Sequence, residues 1–246
     1  MSPPEVLLLL VVGIAAGFLN TVAGGGSVIT IPALTAMAGP AVANGTNRVA
    51  VLLQGVIAVA GFWRGGAMEW RIVLPLVPAT VTGALGGAWV ATLLSPGAIR
   101  RALAIAVALV AVSVLFKPSQ WTRVSVPRLR QPWTAVVFFL VGFFGGFVQI
   151  GVGFFLLTAL VLGVGTDLVR GNAAKNFLVL AYAPLVLLLF ARASQVDWVA
   201  GTVLGLGTMV GAAVGAHLAV REGESVWIRW VIVVTAIASA VSTLVL

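Results

Sequence analysis

The chain contains no cysteine, one histidine, one tyrosine and six acidic residues among 246. The lack of cysteine excludes disulfides and thiolate metal sites. No nucleophile–base pair and no cluster of histidine with acids appears, so the reading is of a protein without catalysis, metal or cofactor. Charged residues make up only 8% of the chain, too few to clothe a soluble domain of this size. No carboxylate falls in the middle of an apolar run, which removes a carboxylate-based proton or sodium relay from consideration. The opening MSPPE has no Lys or Arg, so it lacks the charged start of a signal peptide, and the first apolar run is expected to stay in the protein.

What the chain has in excess is apolar sequence, 61% hydrophobic with a mean hydropathy of +1.17. Several apolar runs reach the roughly 20 residues a helix needs to cross a bilayer. The short alternating segments of a membrane β-barrel are absent. The expected fold class is an all-α polytopic membrane protein, with the lipid bilayer as its surroundings. The net charge of +8 comes from 14 basic residues scattered singly between apolar spans. Such a distribution sets topology and argues against nucleic acid.

Breakers divide the chain into ten helical elements. The first repeat, 1–116, holds elements at 5–22, 28–38, 46–62, 72–94 and 98–116. A basic linker occupies 117–132, and the second repeat, 133–246, holds elements at 133–148, 154–164, 173–190, 198–220 and 225–246. Trp63, Trp70, Trp121, Trp133, Trp198, Trp227 and Trp230 fall near proposed ends, as interfacial anchors do. At an offset of 128, Asn44 matches Asn172, Phe62 matches Phe190, Arg64 matches Arg192, Trp70 matches Trp198 and Gly83 matches Gly211. Gly17-Phe18 matches Gly142-Phe143 at an offset of 125. A run of polar matches in one register indicates internal duplication.

Charge orients the two copies. With five elements per copy the copies are inverted, and ten basic residues fall inside against four outside; with four crossings they are parallel, at 7 to 7. Leaving out Arg48 and Lys175 gives 9 to 3 against 7 to 5, so the inverted arrangement is favoured. The linker is then cytoplasmic and both termini face outside.

A half-length element begins right after AGGGS (Gly24, Gly25, Gly26, Ser27), and its counterpart begins right after QIGVG (Gln149, Gly151, Gly153). Short, glycine-interrupted segments at corresponding places point to a transporter's binding site. Helix starts present unpaired N–H groups and partial positive charge, and two of them meeting near the midplane would bind an anion. The alternative is that these glycines only permit close helix packing, the role read for Gly83, Gly86, Gly87, Gly211 and Gly215. A second constellation is ANGTNR (Asn44, Thr46, Asn47, Arg48), matched by GNAAKN (Asn172, Lys175, Asn176), each placing a cation within about a turn of a matched Asn. These groups can donate to oxyanions, or can instead be helix caps and cations reaching for headgroups. Gln54 is a weaker candidate, Glu69 and Asp197 read as helix-start carboxylates, and His217 reads as structural.

GFLNTVAGGGSVITIPAL followed by ANGTNR, with the echo GFFGGFVQIGVGFFLLTAL and GNAAKN, resembles the sulfite exporter TauE/SafE family, also called the toluene sulfonate uptake permease family. The resemblance covers nearly the whole chain. It implies a multi-pass protein of the bacterial inner (plasma) membrane that moves sulfite, thiosulfate, sulfonates or sulfoacetate. The second copy departs from the pattern by lacking the triple glycine. The expected function is export of a small sulfur oxyanion, sulfite first. The alternatives are uptake of an organosulfonate such as toluenesulfonate, and a non-transporting membrane assembly subunit.

Overall fold

A computed structural model of the chain describes residues 1–115, 129 and 131–222, and every regular element among them is helical. The order is α1 (Pro3–Val22), α2 (Ser27–Ala38), α3 (Pro40–Arg64), α4 (Trp70–Val73), a 3-10 turn (Leu74–Leu76) and α5 (Val77–Leu93). Then come α6 (Pro96–Leu115), α7 (Trp133–Phe147), α8 (Val152–Thr158) running on into a π-helical segment (Ala159–Val164), α9 (Leu168–Arg192) and α10 (Trp198–Glu222). Among the described residues five stretches are long and apolar enough to cross a membrane: Pro3–Val22, Pro40–Arg64, Trp70–Leu93, Leu168–Arg192 and Trp198–Glu222. Apart from 129, 131 and 132, the linker expected at 117–132 lies outside the described residues. So do the element expected at 225–246 and Trp121, Trp227 and Trp230.

Local chemistry explains the ends. At α1, Ser2 and Glu5 form a capping box and prolines occupy the first turn. Two helices start earlier than the sequence pattern suggests. Pro40 opens α3, and Asp167 opens α9 by accepting from the Arg170 N–H at 2.8 Å. ANGTNR and GNAAKN therefore lie inside helices and not at their starts. The element expected at 72–94 is broken near its start, because Pro75 and Pro78 cannot donate to the preceding turn.

The halves share their element ends. The caps before α2 and α8 are Gly26 and Gly151, an offset of 125, and α3 and α9 are both 25 residues long at an offset of 128. Helix α1 lies along α10, and α7 lies along α5, so the first helix of each half packs on the other half. These interfaces are backbone against backbone. A Cβ on Gly17 would come 2.2 Å from the Thr208 carbonyl oxygen, and one on Gly83 would come 2.1 Å from that of Phe139. Gly87 and Gly211 are equally crowded, at 1.9 and 2.0 Å, whereas Gly86 and Gly215 have ordinary to tight space, at 3.6 and 3.3 Å. At the centre α3 and α9 run in opposite directions. Gly45, near the start of α3, abuts Phe190 and Gln195 beyond the end of α9, while Phe62, near the end of α3, clusters with Leu168 at the start of α9.

Candidate functional site

The two chain breaks touch. Gly24 has φ of +85°, and a Cβ there would lie 2.4 Å from the Gly153 carbonyl carbon; one on Gly153 would lie 2.3 Å from the Gly24 Cα. Only glycine permits this approach. The Gly24 N–H is used within its own half, donating to the carbonyls of Leu19 and Asn20. The N–H groups of Gly25, Gly26 and Ser27 meet no acceptor among the described residues, and neither do those of Gln149, Gly151 and Gly153.

At the start of α2 these donors adjoin a buried polar chamber. The Thr30 hydroxyl donates to Asn47 Oδ1 at 2.6 Å, and Asn47 Nδ2 donates to Ser27 Oγ at 3.2 Å. Opposite them, Asn20 Nδ2 donates to Gln54 Oε1 at 2.9 Å, and Gln54 Nε2 reaches Thr21 Oγ1 at 3.5 Å. A cavity of about 10 Å³ remains between Asn20, Gly26, Ser27, Thr30, Asn47 and Gln54, room for about one water. Because Ser27 Oγ accepts from Asn47, its own proton is left to point elsewhere.

The matched asparagines and their cations do a different job. Arg48 is 1% exposed, so it does not reach for headgroups. Its Nη1 donates to the Gly145 carbonyl at 2.6 Å and to Gln149 Oε1, and its Nη2 donates to the Gly146 carbonyl at 2.8 Å and to Asn44 Oδ1 at 3.2 Å. Asn44 Nδ2 adds a bond to the Phe147 carbonyl at 2.9 Å. Lys175, 2% exposed, donates to the carbonyls of Asn20 and Thr21 at 2.8 and 3.0 Å and to Asn172 Oδ1 at 2.7 Å. Asn176 Nδ2 also reaches the Thr21 carbonyl, at 3.2 Å. Each cation thus crosses to the other half and caps the last carbonyls of a broken helix, where the helix dipole is negative. Being buried, neither counts as a topology-setting charge.

Among the described residues no carboxylate bonds to either cation. Glu69 does not cap its own helix but pairs with Arg170 at the surface, whereas Asp197 does cap α10, accepting from the Ala200 N–H at 3.0 Å. Thr46 accepts from the Asp197 N–H at 2.9 Å, away from the chamber. His217 lines an open groove of about 490 Å³ with Arg64 and Arg221. Sequence reasoning missed Asn20, Thr21, Thr30 and Tyr182. The NT step in GFLNTVAGGG, a polar pair at the end of an apolar run, was the available signal for the first two. Tyr182, wholly buried, faces Gln149 Oε1 at 3.5 Å.

A probable membrane transporter protein, ORF9, from a Sinorhizobium species is 31% identical over 240 residues, spanning 96% of this chain and 91% of that protein. The probable membrane transporter protein YfcA of Escherichia coli K12 is 28% identical over 242 residues, 98% of this chain and 90% of its own length. YjnA of Bacillus subtilis 168, likewise a probable membrane transporter protein, is 26% identical over 238 residues. No solved structure matches the chain. The family model described as sulfite exporter TauE/SafE matches residues 9–243, and with that span the chain belongs to the TauE/SafE family of membrane transporters.

Proposed function

We propose that this transporter exports a small sulfur-containing oxyanion, sulfite foremost, across the bacterial inner membrane. The carrying observation is the start of α2, where Gly26 and Ser27, whose N–H groups meet no acceptor among the described residues, line a chamber of buried hydroxyls and amides. Helix starts of this kind hold anions by backbone donors and dipole. Gly25, Gly26, Ser27 and Asn47 contact the anion in this reading. Gly24, Gly151 and Gly153 give the crossing its shape, and Asn44, Arg48, Gln149, Asn172, Lys175 and Asn176 supply the positive surroundings; Thr46 fixes the start of α10. The cavity of about 10 Å³ is smaller than sulfite, so admission requires α2 to part from α3.

The antiparallel course of α3 and α9 supports two inverted repeats, 1–116 and 133–246, joined by a cytoplasmic linker at 117–132, with the breaks near the midplane. An inside-negative potential then drives an anion outward by about 2.3 kcal/mol per charge per 100 mV, and a dianion by twice that. Uptake of an aryl sulfonate fits less well, because the chamber is small and polar. An assembly subunit would have no use for unpaired donors beside a buried break. Calorimetric titration of the purified protein with sulfite, thiosulfate, sulfate and toluenesulfonate tests the reading. Sulfite is expected to bind most tightly and toluenesulfonate least; binding of none, or sulfite binding unchanged by Ser27→Ala, sinks it. Cysteine labelling at positions 2 and 246 tests the inversion, which fails if either terminus lies inside.

A further inference from the structure

The two buried cations occupy oxygen cages that recur in both halves. The Lys175 cage is the Asn20 carbonyl, the Thr21 carbonyl and Asn172 Oδ1, at 2.8, 3.0 and 2.7 Å. Three acceptors exhaust the three N–H bonds of an ammonium. Adding 125 to 20 and 21 gives 145 and 146, and subtracting 128 from 172 gives 44. The Gly145 carbonyl, the Gly146 carbonyl and Asn44 Oδ1 are three of the four oxygens that bind the Arg48 guanidinium, Gln149 Oε1 being the fourth. The cations themselves are not in register, since 48 plus 128 is 176, the position of Asn176. So the cage repeats, while the cation that fills it arrives from a different position and with different chemistry in each half.

A cage of neutral oxygens at the carbonyl end of a broken helix is the ligand set that carriers offer to sodium. We infer that Lys175 and Arg48 are tethered replacements for co-transported cations, so that the carrier binds its anion without sodium. The side chains carry positive charge into the interior, and the dipoles of α1 and α7 hold it there in place of carboxylates. This deepens the transport reading and relies on it only where anion affinity is measured.

The test compares wild-type protein and Lys175→Ala in sodium, choline and methylammonium chloride. A coupled ion changes the affinity of its partner by about 5- to 150-fold, so wild-type sulfite affinity is expected to differ by less than about twofold between sodium and choline. Melting temperature carries the second arm and needs no sulfite. Lys175→Ala is expected to melt lower than wild type in choline and to regain stability as sodium or methylammonium is raised, because a ligand that binds only the folded state stabilises it. Wild-type melting should not respond to the choice of cation. Two results overturn the inference: a wild-type protein whose affinity or melting depends on sodium, and a Lys175→Ala variant that no cation restores. Failure of wild-type protein to bind sulfite would sink the substrate reading alone and leave the melting comparison intact.

Discussion

Behind the same backbone break, the two halves have built opposite interiors. In the first half Ser27, Thr30, Asn47 and Gln54 surround the small chamber. Adding 125 to the first two and 128 to the others gives Val152, Phe155, Lys175 and Tyr182. Val152 is 2% exposed and Tyr182 is fully buried, and the Tyr182 hydroxyl stands 2.9 Å from where a Gly145 Cβ would be. The second half thus puts the bulk of Val152 and Tyr182 where the first half has Ser27 and Gln54, and a buried cation, Lys175, where the first half has Asn47. The scaffold, meaning helix ends, cages and glycine contacts, is common to both; in the proposed reading the ligand contacts lie in one. A symmetric frame can host a single asymmetric site.

The largest expected effect tests the shared frame. Gly24→Ala and Gly153→Ala each push a methyl into the opposite backbone, and should each destabilise by about 3 kcal/mol or more, seen as a steep fall in detergent melting temperature. Wild-type melting in both would mean that the breaks do not touch. Next comes an exchange of chemistry between the halves. Ser27→Val with Gln54→Tyr gives the first half the residues of the second and should weaken sulfite binding about a hundredfold, by losing the Ser27 hydrogen bond to a charged ligand and by filling the chamber that Gln54 lines. The reverse pair, Val152→Ser with Tyr182→Gln, should leave affinity near wild type, and a second binding site appearing in its titration would break the comparison.

Gly83→Ala, in the interface of α5 with α7, should lower stability by about 2 kcal/mol while the folded fraction binds sulfite normally. Ser27→Ala removes one hydroxyl and should cost about 1.5 kcal/mol of affinity with little change in melting. Glu69→Gln is the smallest. Its pair with Arg170 has side-chain exposures of 33% and 54%, so the loss should stay under about 1 kcal/mol and shrink in salt.

Much of the frame was legible because it depends on chain length and punctuation. Of the ten elements read from hydropathy, those at 5–22, 46–62, 72–94, 173–190 and 198–220 fall on the five long apolar stretches among the described residues, and the glycine-led half-length segments fell where α2 and α8 begin. The starts of α3 and α9 were read several residues late. Proline at a first turn and aspartate at a cap precede the polar motif there, and a polar motif in an apolar chain looks like an end. The site was legible as a set of residue types but not as a set of partners. Nothing local to ANGTNR says that Arg48 reaches Gly145, a residue 97 positions away, or that Lys175 reaches back to Asn20 across 155. Such bonds follow from the crossing of the halves, which only the packing reveals. Asn20 and Thr30 were missed for the same reason, each being unremarkable until another helix faces it.

The pairing of α1 with α10 also has a consequence for how the protein is made. Helix α1 leaves the ribosome well before α10 and closes its glycine face against it about 200 residues later (222 minus 22), a wait of about 10–40 s at ordinary synthesis rates. For about the first 155 of those residues Asn20 is without Lys175, and until α10 is made the glycine face of α1 lacks its partner. A chain stopped before α10 would leave the glycine face of α1 without the helix it packs against, so the α1–α10 seam depends on a segment made about 200 residues later.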